Sequence, residues 1–558
     1  MNAVISDLDK ANHFNKFFQE VFSLDDGKNL DLNDKTTSYM EAFEISFLDI
    51  LQSVHMIKDK ITRTPDNVPA YFIKRTISSI LVPLHFLFNS TLFLNAIPVQ
   101  WKRALIVPVF KKGNRSKADN YRPISLTSSI CRIYESILCK KILFYLQANN
   151  LISPNQFGFL PNKSTCSQLL TCLHQWLISF SSNQNLNVIY TDYSKAFDSV
   201  SHSKLVKVLS SYGINKTVIN WIENFLSNRY QHVVIGDAIS EPLLIHSGVP
   251  QGSVIGPLVF NIFINDITVC SQPLQNTGDL VLFADDAKVF STDNNKLQTS
   301  LDLVSQWSDS RQLKLAPSKC YSLPISKPSI KFPSSSFSIN QTIIPSTSCF
   351  KDLGVYISSD LKWANHIYYI FRKASVVSYQ IFKSFRTKNI ETLLKLFTVY
   401  VRPKLEYCTP VWSPWLIKDI RKIESIQKSF TRKACLRCGI TFKSYSNRLE
   451  TLKLKSLQYR RIVFDLILLF KIINGLSDLN FSDFFLFRNI PYHFRGNSKK
   501  ISTKHNFKTS QWNNSFFSRV TGIWNSLPDE ICSTTSLSQF KINLDNFDLS
   551  PFFNENVG

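Results

Sequence analysis

Along most of the chain, apolar residues recur at mixed three- and four-residue spacing, the pattern of helices that bury one face. Residues 1–60 read this way, most clearly over AFEISFLDILQSVHMIKDKI (residues 42–61). Thr64-Pro65-Asp66-Asn67 breaks the pattern and is placed to cap the next helix, which runs from Ala70 to Leu94 before Pro98. After Arg103, ALIVPVF is a short apolar run closed by the basic turn Lys111–Asn114, which predicts a strand and a loop. Residues 127–150 and 164–181 predict two more amphipathic helices. Two segments differ in kind: VIYTD (Val188–Asp192) is a β-branched, aromatic strand ending in a carboxylate, and LVLFADDAKVF (Leu280–Phe290) is two apolar half-strands around adjacent aspartates. Helical patterns lie between and after them, so the middle of the chain reads as α+β with a small sheet. The Ser- and Pro-rich stretch Ser322–Ser348, with short strands and turns, reads as a boundary. Beyond about Lys362 the chain is helical and basic as far as Asn480, and no internal repeat is present.

A length of 558 residues allows three or four units, or one large one with satellites. With 44% hydrophobic residues the chain has material for several cores, which excludes wholesale disorder, and 15 glycines exclude a collagen-like chain. The cysteines are odd in number, 11, and scattered, so a reduced, intracellular setting (cytoplasmic or nuclear) is expected rather than a secreted disulfide scaffold. Cys435-x-x-Cys438 lacks nearby His partners and reads as buried helix cysteines rather than a zinc site. The N-terminus has no signal-peptide pattern. The longest apolar run, Ile462–Ile473, is broken by Asp465 and Lys471, so no membrane span is expected.

Charge changes the picture. Of the net +23, residues 351–500 carry 28 Lys and Arg against 10 Asp and Glu, a surplus of 28 − 10 = +18. Residues 151–300 carry 8 against 10, or −2. The basic block, interleaved with Phe, Tyr and Trp, suits a polyanion whose counterions are released on binding; a solvated helical surface is the alternative. The near-neutral middle block implies that its acids have work to do. Asp285 and Asp286 must sit in a tight turn if both are to face one place, and there they repel and desolvate each other, driving one pKa upward. Only Lys288 is near enough in sequence to compensate. A solvated turn is one reading. The other is a divalent-cation site completed by Asp192, since carboxylates holding two Mg2+ ions can activate a hydroxyl and steady a leaving oxygen in phosphoryl transfer.

These residues resemble a known family. FADD (Phe283–Asp286) resembles the aromatic-x-Asp-Asp turn of reverse transcriptases. It stands in order with WKRALIVPVFKKGNRSKADNYRPISL (Trp101–Leu126), NQFGFLPNKST (Asn155–Thr165), YTDYSKAFDSVSH (Tyr190–His202), SGVPQGSVIGPLVFNIFINDI (Ser247–Ile267) and FKDLGVYIS (Phe350–Ser358). Six ordered blocks over about 260 residues are similar to the enzymes of non-LTR retrotransposons. ANHFNKFFQEVF near the start and IWNSLPDEI (Ile523–Ile531) resemble jockey-type LINE proteins.

The resemblance implies an α+β right-hand polymerase: fingers, a palm with a small antiparallel sheet, and a helical thumb, followed by a helical basic C-terminal extension. The expected divisions are a helical N-terminal linker (1–90), the reverse transcriptase domain (91–358), thumb and extension (359–480) and a C-terminal region without an assigned role (481–558). It implies an RNA-directed DNA polymerase acting on an RNA template, a DNA primer and dNTPs with two Mg2+ ions, or Mn2+. Asp192, Asp285 and Asp286 become the catalytic and metal-binding acids, with Asp286 the weaker ligand. Phe197 becomes the gate that rejects a ribose 2′-hydroxyl; by itself it reads equally as a core aromatic. Arg122, assisted by Lys111 or Lys112, becomes a triphosphate contact, although a basic surface loop reads the same way. Gln251 and Gly252 become a close backbone approach to a base pair, against a plain helix start. Lys319, in LKLAPSKCYS, becomes a proton donor to pyrophosphate, although the family's preceding Asn is absent. Asp198 is expected to cap a helix starting near Ser199. Arg432 and Lys433 are expected to touch phosphate. The chain begins at what resembles the linker before the polymerase, so no N-terminal endonuclease is expected. A catalytically silent RNA-binding remnant is the competing reading, and a group II intron-type maturase fits the ends less well.

Overall fold

The computed structural model describes residues 6–269, 279–330, 335–488 and 497–553. Helix makes up 51% and strand 13%, an α+β chain. In chain order the strands that position the site are β1 (Arg103–Phe110), β2 (Tyr121–Leu126), β3 (Leu186–Thr191), β4 (Arg229–Ile235), β5 (Ala238–Ile239), β6 (Leu243–Ile245), β7 (Asp279–Phe283), β8 (Asp286–Ser291), β9 (Tyr321–Ile325), β10 (Ser338–Ile339), β11 (Thr342–Ile343), β12 (Cys349–Asp352) and β13 (Val355–Ser358).

The sheet that matters most is antiparallel, ordered β7-β8-β3-β9. β3 is central and buried at all of its residues, which is why its sequence is a nearly continuous apolar run rather than an alternation. Its two faces enter different cores. Ile189, with Leu282, Ala287 and Val289, packs with the helices Ser129–Ala148 and His202–Ser211. Val188 and Tyr190, with Phe290 and Leu323, pack with the helix Thr165–Ser181, with β13 and with the C-terminal helices, including Leu457–Ile473 and Phe516–Ser526. Sheet and basic helical region therefore share one apolar core.

On that second face the β12–β13 hairpin is fastened by a buried ion pair, Lys288 Nζ to Asp352 Oδ2 at 2.5 Å, and by Phe350 stacked on Tyr190 at 3.9 Å. A second sheet is built on β1, which pairs antiparallel with β2 and parallel with β4, while β5 and β6 pair with β4.

Several expectations change. Residues 20–46 are not helical: Lys35 and Met40 donate backbone hydrogen bonds to Ser211 and Gly213, and Asp25 accepts from Ser201 Oγ at 2.7 Å, so tertiary contacts replace a helix's own ladder. The helix Ala70–Phe93 starts after Pro69; Asp66 bonds within its own turn, accepting from Thr64 Oγ1 and Val68 N. By length and composition that helix could cross a membrane, although polar residues interrupt its apolar run; Ile73, Leu84, Phe88 and Leu92 lie in the first core. β4–β6 add strands that the helical expectation for the middle of the chain does not contain; Gly236-Asp237 between Ile235 and Ala238 is the hairpin signal for them. The stretch Ser322–Ser348 is not a clean boundary, because β9 within it is an edge strand of the main sheet.

Removing one member of the Lys288–Asp352 pair strands a buried charge. Asp352→Ala is expected to lower stability by about 3–5 kcal/mol, and Lys288→Met combined with Asp352→Leu to recover most of that loss. Urea unfolding of the three proteins measures both.

Candidate active site

The acids meet because of strand register. Thr191, the last residue of β3, lies opposite Ala287 on β8, so the next residue, Asp192, leaves the strand beside Asp286. Thr191 Oγ1 also donates to the Ala287 carbonyl at 3.1 Å. Asp286 pairs with Phe283 across the β7–β8 hairpin, leaving Ala284 and Asp285 as its two-residue turn. The turn is strained: Ala284 is left-handed, φ 54°, a conformation that costs an L-residue about 1–2 kcal/mol. The buried Gln156 holds it, its Oε1 accepting from Ala284 N at 3.0 Å and from Gly158 N at 2.8 Å. Gly158 lies so close that a Cβ there would meet Ala284 N at 2.3 Å. The Asn155–Thr165 block thus braces the aspartate turn, a role that needs the fold to be seen.

Burial, reinforced by the charge of Asp192, raises the Asp285 carboxyl above its ordinary range. Burial and then Asp285 push Asp286 up to about 7. Arg122 and Lys111 pull Asp285 the other way, so both cations are within electrostatic reach of the turn. Lys111 is itself lowered by burial and by Arg122. Lys319 Nζ stands 3.8 Å from Asp192 Oδ2, and its neighbourhood is pinned by Ala316 N donating to the Asp192 carbonyl at 2.8 Å. Lys288, the compensating cation that proximity in sequence suggested, pairs with Asp352 and also pulls the Asp286 carboxyl down, against the larger effects of burial and Asp285. Asp192, Asp286, Lys112, Lys319 and Lys351 line one cavity of about 280 Å³.

The donors are all oxygen, which suits a hard divalent cation. Among the described residues no three His, Cys, Asp or Glu side chains form a ready-made cage, and neither Asp285 nor Asp286 has an ion-pair partner. Mg2+ does not need a protein cage: it binds through one or two carboxylates, its own waters and substrate phosphates. The residues fit such an ion.

The remaining predicted residues fall into two groups. Phe197, five residues after Asp192, is half-buried and packs against the first core, stacked on Phe260 at 4.3 Å and edge-on to Phe159 at 6.0 Å. Asp198 caps no helix. The helix begins at His202 with Ser201 as its N-cap, and Asp198 instead accepts from Gln251 Nε2 at 2.9 Å, burial pushing its carboxyl up to about 6. Gly252 (φ +129°) makes its close approach to β2, where a Cβ would lie 2.3 Å from the Ser125 carbonyl oxygen. Arg432 and Lys433 are exposed on the separate helix Ile417–Arg437, and Cys435 is buried on that helix.

Residues 109–357 match the family described as "Reverse transcriptase (RNA-dependent DNA polymerase)". The chain is similar to the "Probable RNA-directed DNA polymerase from transposon X-element" of Drosophila melanogaster, 26% identical over 62% of this chain and 39% of that protein. It is similar to that of transposon BS from the same species, 25% identical over 69% and 44%. A third relative is the "RNA-directed DNA polymerase from mobile element jockey", 28% identical over 51% and 32%. The chain spans less than half the length of these curated relatives. Residues 109–357 thus match the reverse transcriptase family, and the chain is similar to polymerases named for the X-element, BS and jockey mobile elements.

Proposed function

We propose that the chain is an RNA-directed DNA polymerase that extends a DNA primer on an RNA template with dNTPs. The observation that carries this reading is that strand register sets Asp192 beside Asp286 in one cavity with Lys112 and Lys319, while Asp285 in the adjoining turn is within electrostatic reach of Asp192, Arg122 and Lys111. In this reading the β7-β8-β3-β9 sheet is the palm, the β1–β2 region the fingers, and the helices after residue 358 the thumb and its extension.

Asp192 and Asp285 would hold two Mg2+ ions, or Mn2+, with Asp286 in support. When bound, these ions supply polarisation of the primer 3′-hydroxyl and neutralisation of the charge on the departing pyrophosphate. The chain's own residues do the rest. Arg122 and Lys111 grip the triphosphate, the guanidinium fork suiting phosphate oxygens. Lys319 carries a proton to pyrophosphate. Phe197 fills the space a 2′-hydroxyl would need. The raised carboxyls of Asp285 and Asp286 represent electrostatic stress that binding of cationic charge relieves.

From the cavity's lip at Lys351, exposed Tyr368, Arg372, Tyr379 and Lys383 run along the helix Ala364–Ser384, and Lys422 of the next long helix lies over the Tyr368 ring. Alternating cations and aromatics suit a nucleic-acid strand, the cations taking phosphates and the rings stacking on bases. Arg432 and Lys433 would extend the track.

RNA-templated primer extension with Mg2+ tests the reading. Activity is expected in the intact chain and a loss of about a hundred- to a thousandfold in Asp285→Ala, the scale of removing a preorganised electrostatic group. No extension, with RNA binding retained, would leave only an RNA-binding remnant. Replacing Arg432 and Lys433 by Glu is expected to reduce the slope of log template affinity against log salt by about 1–2. An unchanged slope removes those residues from the track.

A further inference from the structure

Three segments distant in sequence are tied together beside Phe197. The loop Ser247–Gly252 lies against residues 197–200: Val249 N donates to the Phe197 carbonyl and Gly248 N to the Val200 carbonyl, both at 2.8 Å. Ser247 Oγ donates to the Asp198 carbonyl at 2.7 Å, and Gln251 Nε2 to Asp198 Oδ1 at 2.9 Å. Gly248, at φ +83°, lies so close that a Cβ would meet the Asp198 Cα at 2.7 Å. On its other side the same loop is bound to β2, the strand that carries Arg122, by Ser125 N donating to the Gln251 carbonyl at 2.7 Å.

The Asp198 side chain is the one link in this set whose chemistry dictates an orientation. A carboxamide presents a donor and an acceptor of nearly equal size and can flip; an ionised carboxylate only accepts. Facing Asp198, Gln251 must turn Nε2 inward, which leaves Oε1 for a second partner. One residue back along the chain, the Phe197 ring rests in its stack on Phe260.

We propose that Asp198 is a positioning residue for sugar selection: by fixing the Gln251 carboxamide and the turn that carries Phe197, it makes discrimination between deoxyribonucleotides and ribonucleotides depend on a side chain that need not touch either. The inference rests on the polymerase reading and goes beyond it, because neither metal binding nor transfer requires this pair. Asp198→Asn, nearly isosteric, gives position 198 a donor as well as an acceptor, and both orientations of Gln251 become permitted.

The experiment measures kcat/KM for dNTP and for the matching rNTP on an RNA template in the full chain. Asp198→Asn is expected to lower the dNTP-over-rNTP ratio at least tenfold while the kcat for dNTP falls much less. Asp119→Asn, an exposed acid paired with Lys195 at 3.9 Å, is expected to keep the wild-type ratio. Unfolding midpoints verify that each variant is folded. Should Asp198→Asn fail to fold, Ser247→Ala, which loosens the same turn by removing one hydroxyl, is expected to lower the ratio in the same direction. A wild-type ratio in a folded Asp198→Asn protein, or in Ser247→Ala when that variant decides, overturns the proposal and leaves the polymerase reading intact. A wild-type chain that extends no primer overturns both.

Discussion

The pairing register between β3 and β8 is the constraint on which the site depends. Side chains alternate faces along a strand, so sliding β3 by one residue would send Tyr190 and its partners into the wrong core and turn Asp192 away from Asp286. The register is held from several directions: Lys288, opposite Tyr190, reaches Asp352; Tyr190 stacks on Phe350; and Thr191 bonds to the Ala287 carbonyl. Side chains from the β12–β13 hairpin, far along the sequence, therefore help to decide where the acids stand.

Around that register the structure gathers features that each cost free energy. Ala284 is left-handed, Asp285 and Asp286 are desolvated beside each other, and Gly158 permits a contact that no other residue would. Strain and desolvation of this kind persist only where surrounding contacts over-determine them. Gln156 supplies two of those contacts, and a sheet buried on both faces supplies rigidity. Two neighbouring carboxyls that are unfavourable alone, Asp285 and Asp286, are relieved when cationic charge enters.

The charge imbalance along the chain has a structural counterpart. The basic helices between residues 364 and 473 share an apolar core with the acid-bearing sheet, so their positive charge is fixed relative to the carboxylates rather than swinging on a linker. Helix Ala364–Ser384 begins shortly after β13, and its cation-and-tyrosine face starts near the cavity holding Asp192.

Motif order, the α+β class, the helices over residues 129–148 and 165–181 and the two strands around the aspartates could all be read from the sequence, because local periodicity and turn chemistry specify them. The raised carboxyl at the Asp285–Asp286 step was also foreseeable, since like charges in an apolar flank must shift. What lay beyond the sequence were partnerships between distant segments: Gln156 with Ala284, Asp198 with Gln251 rather than a helix end, Lys288 with Asp352 as well as with Asp286, and residues 35–40 hydrogen-bonded to residues 211–213. Local pattern determines which segment becomes helix or strand and which residues have the chemistry to act. Only packing of segments far apart in the chain decides which polar group each of them meets, because burial makes an unmatched partner costly and local sequence cannot say who will be near.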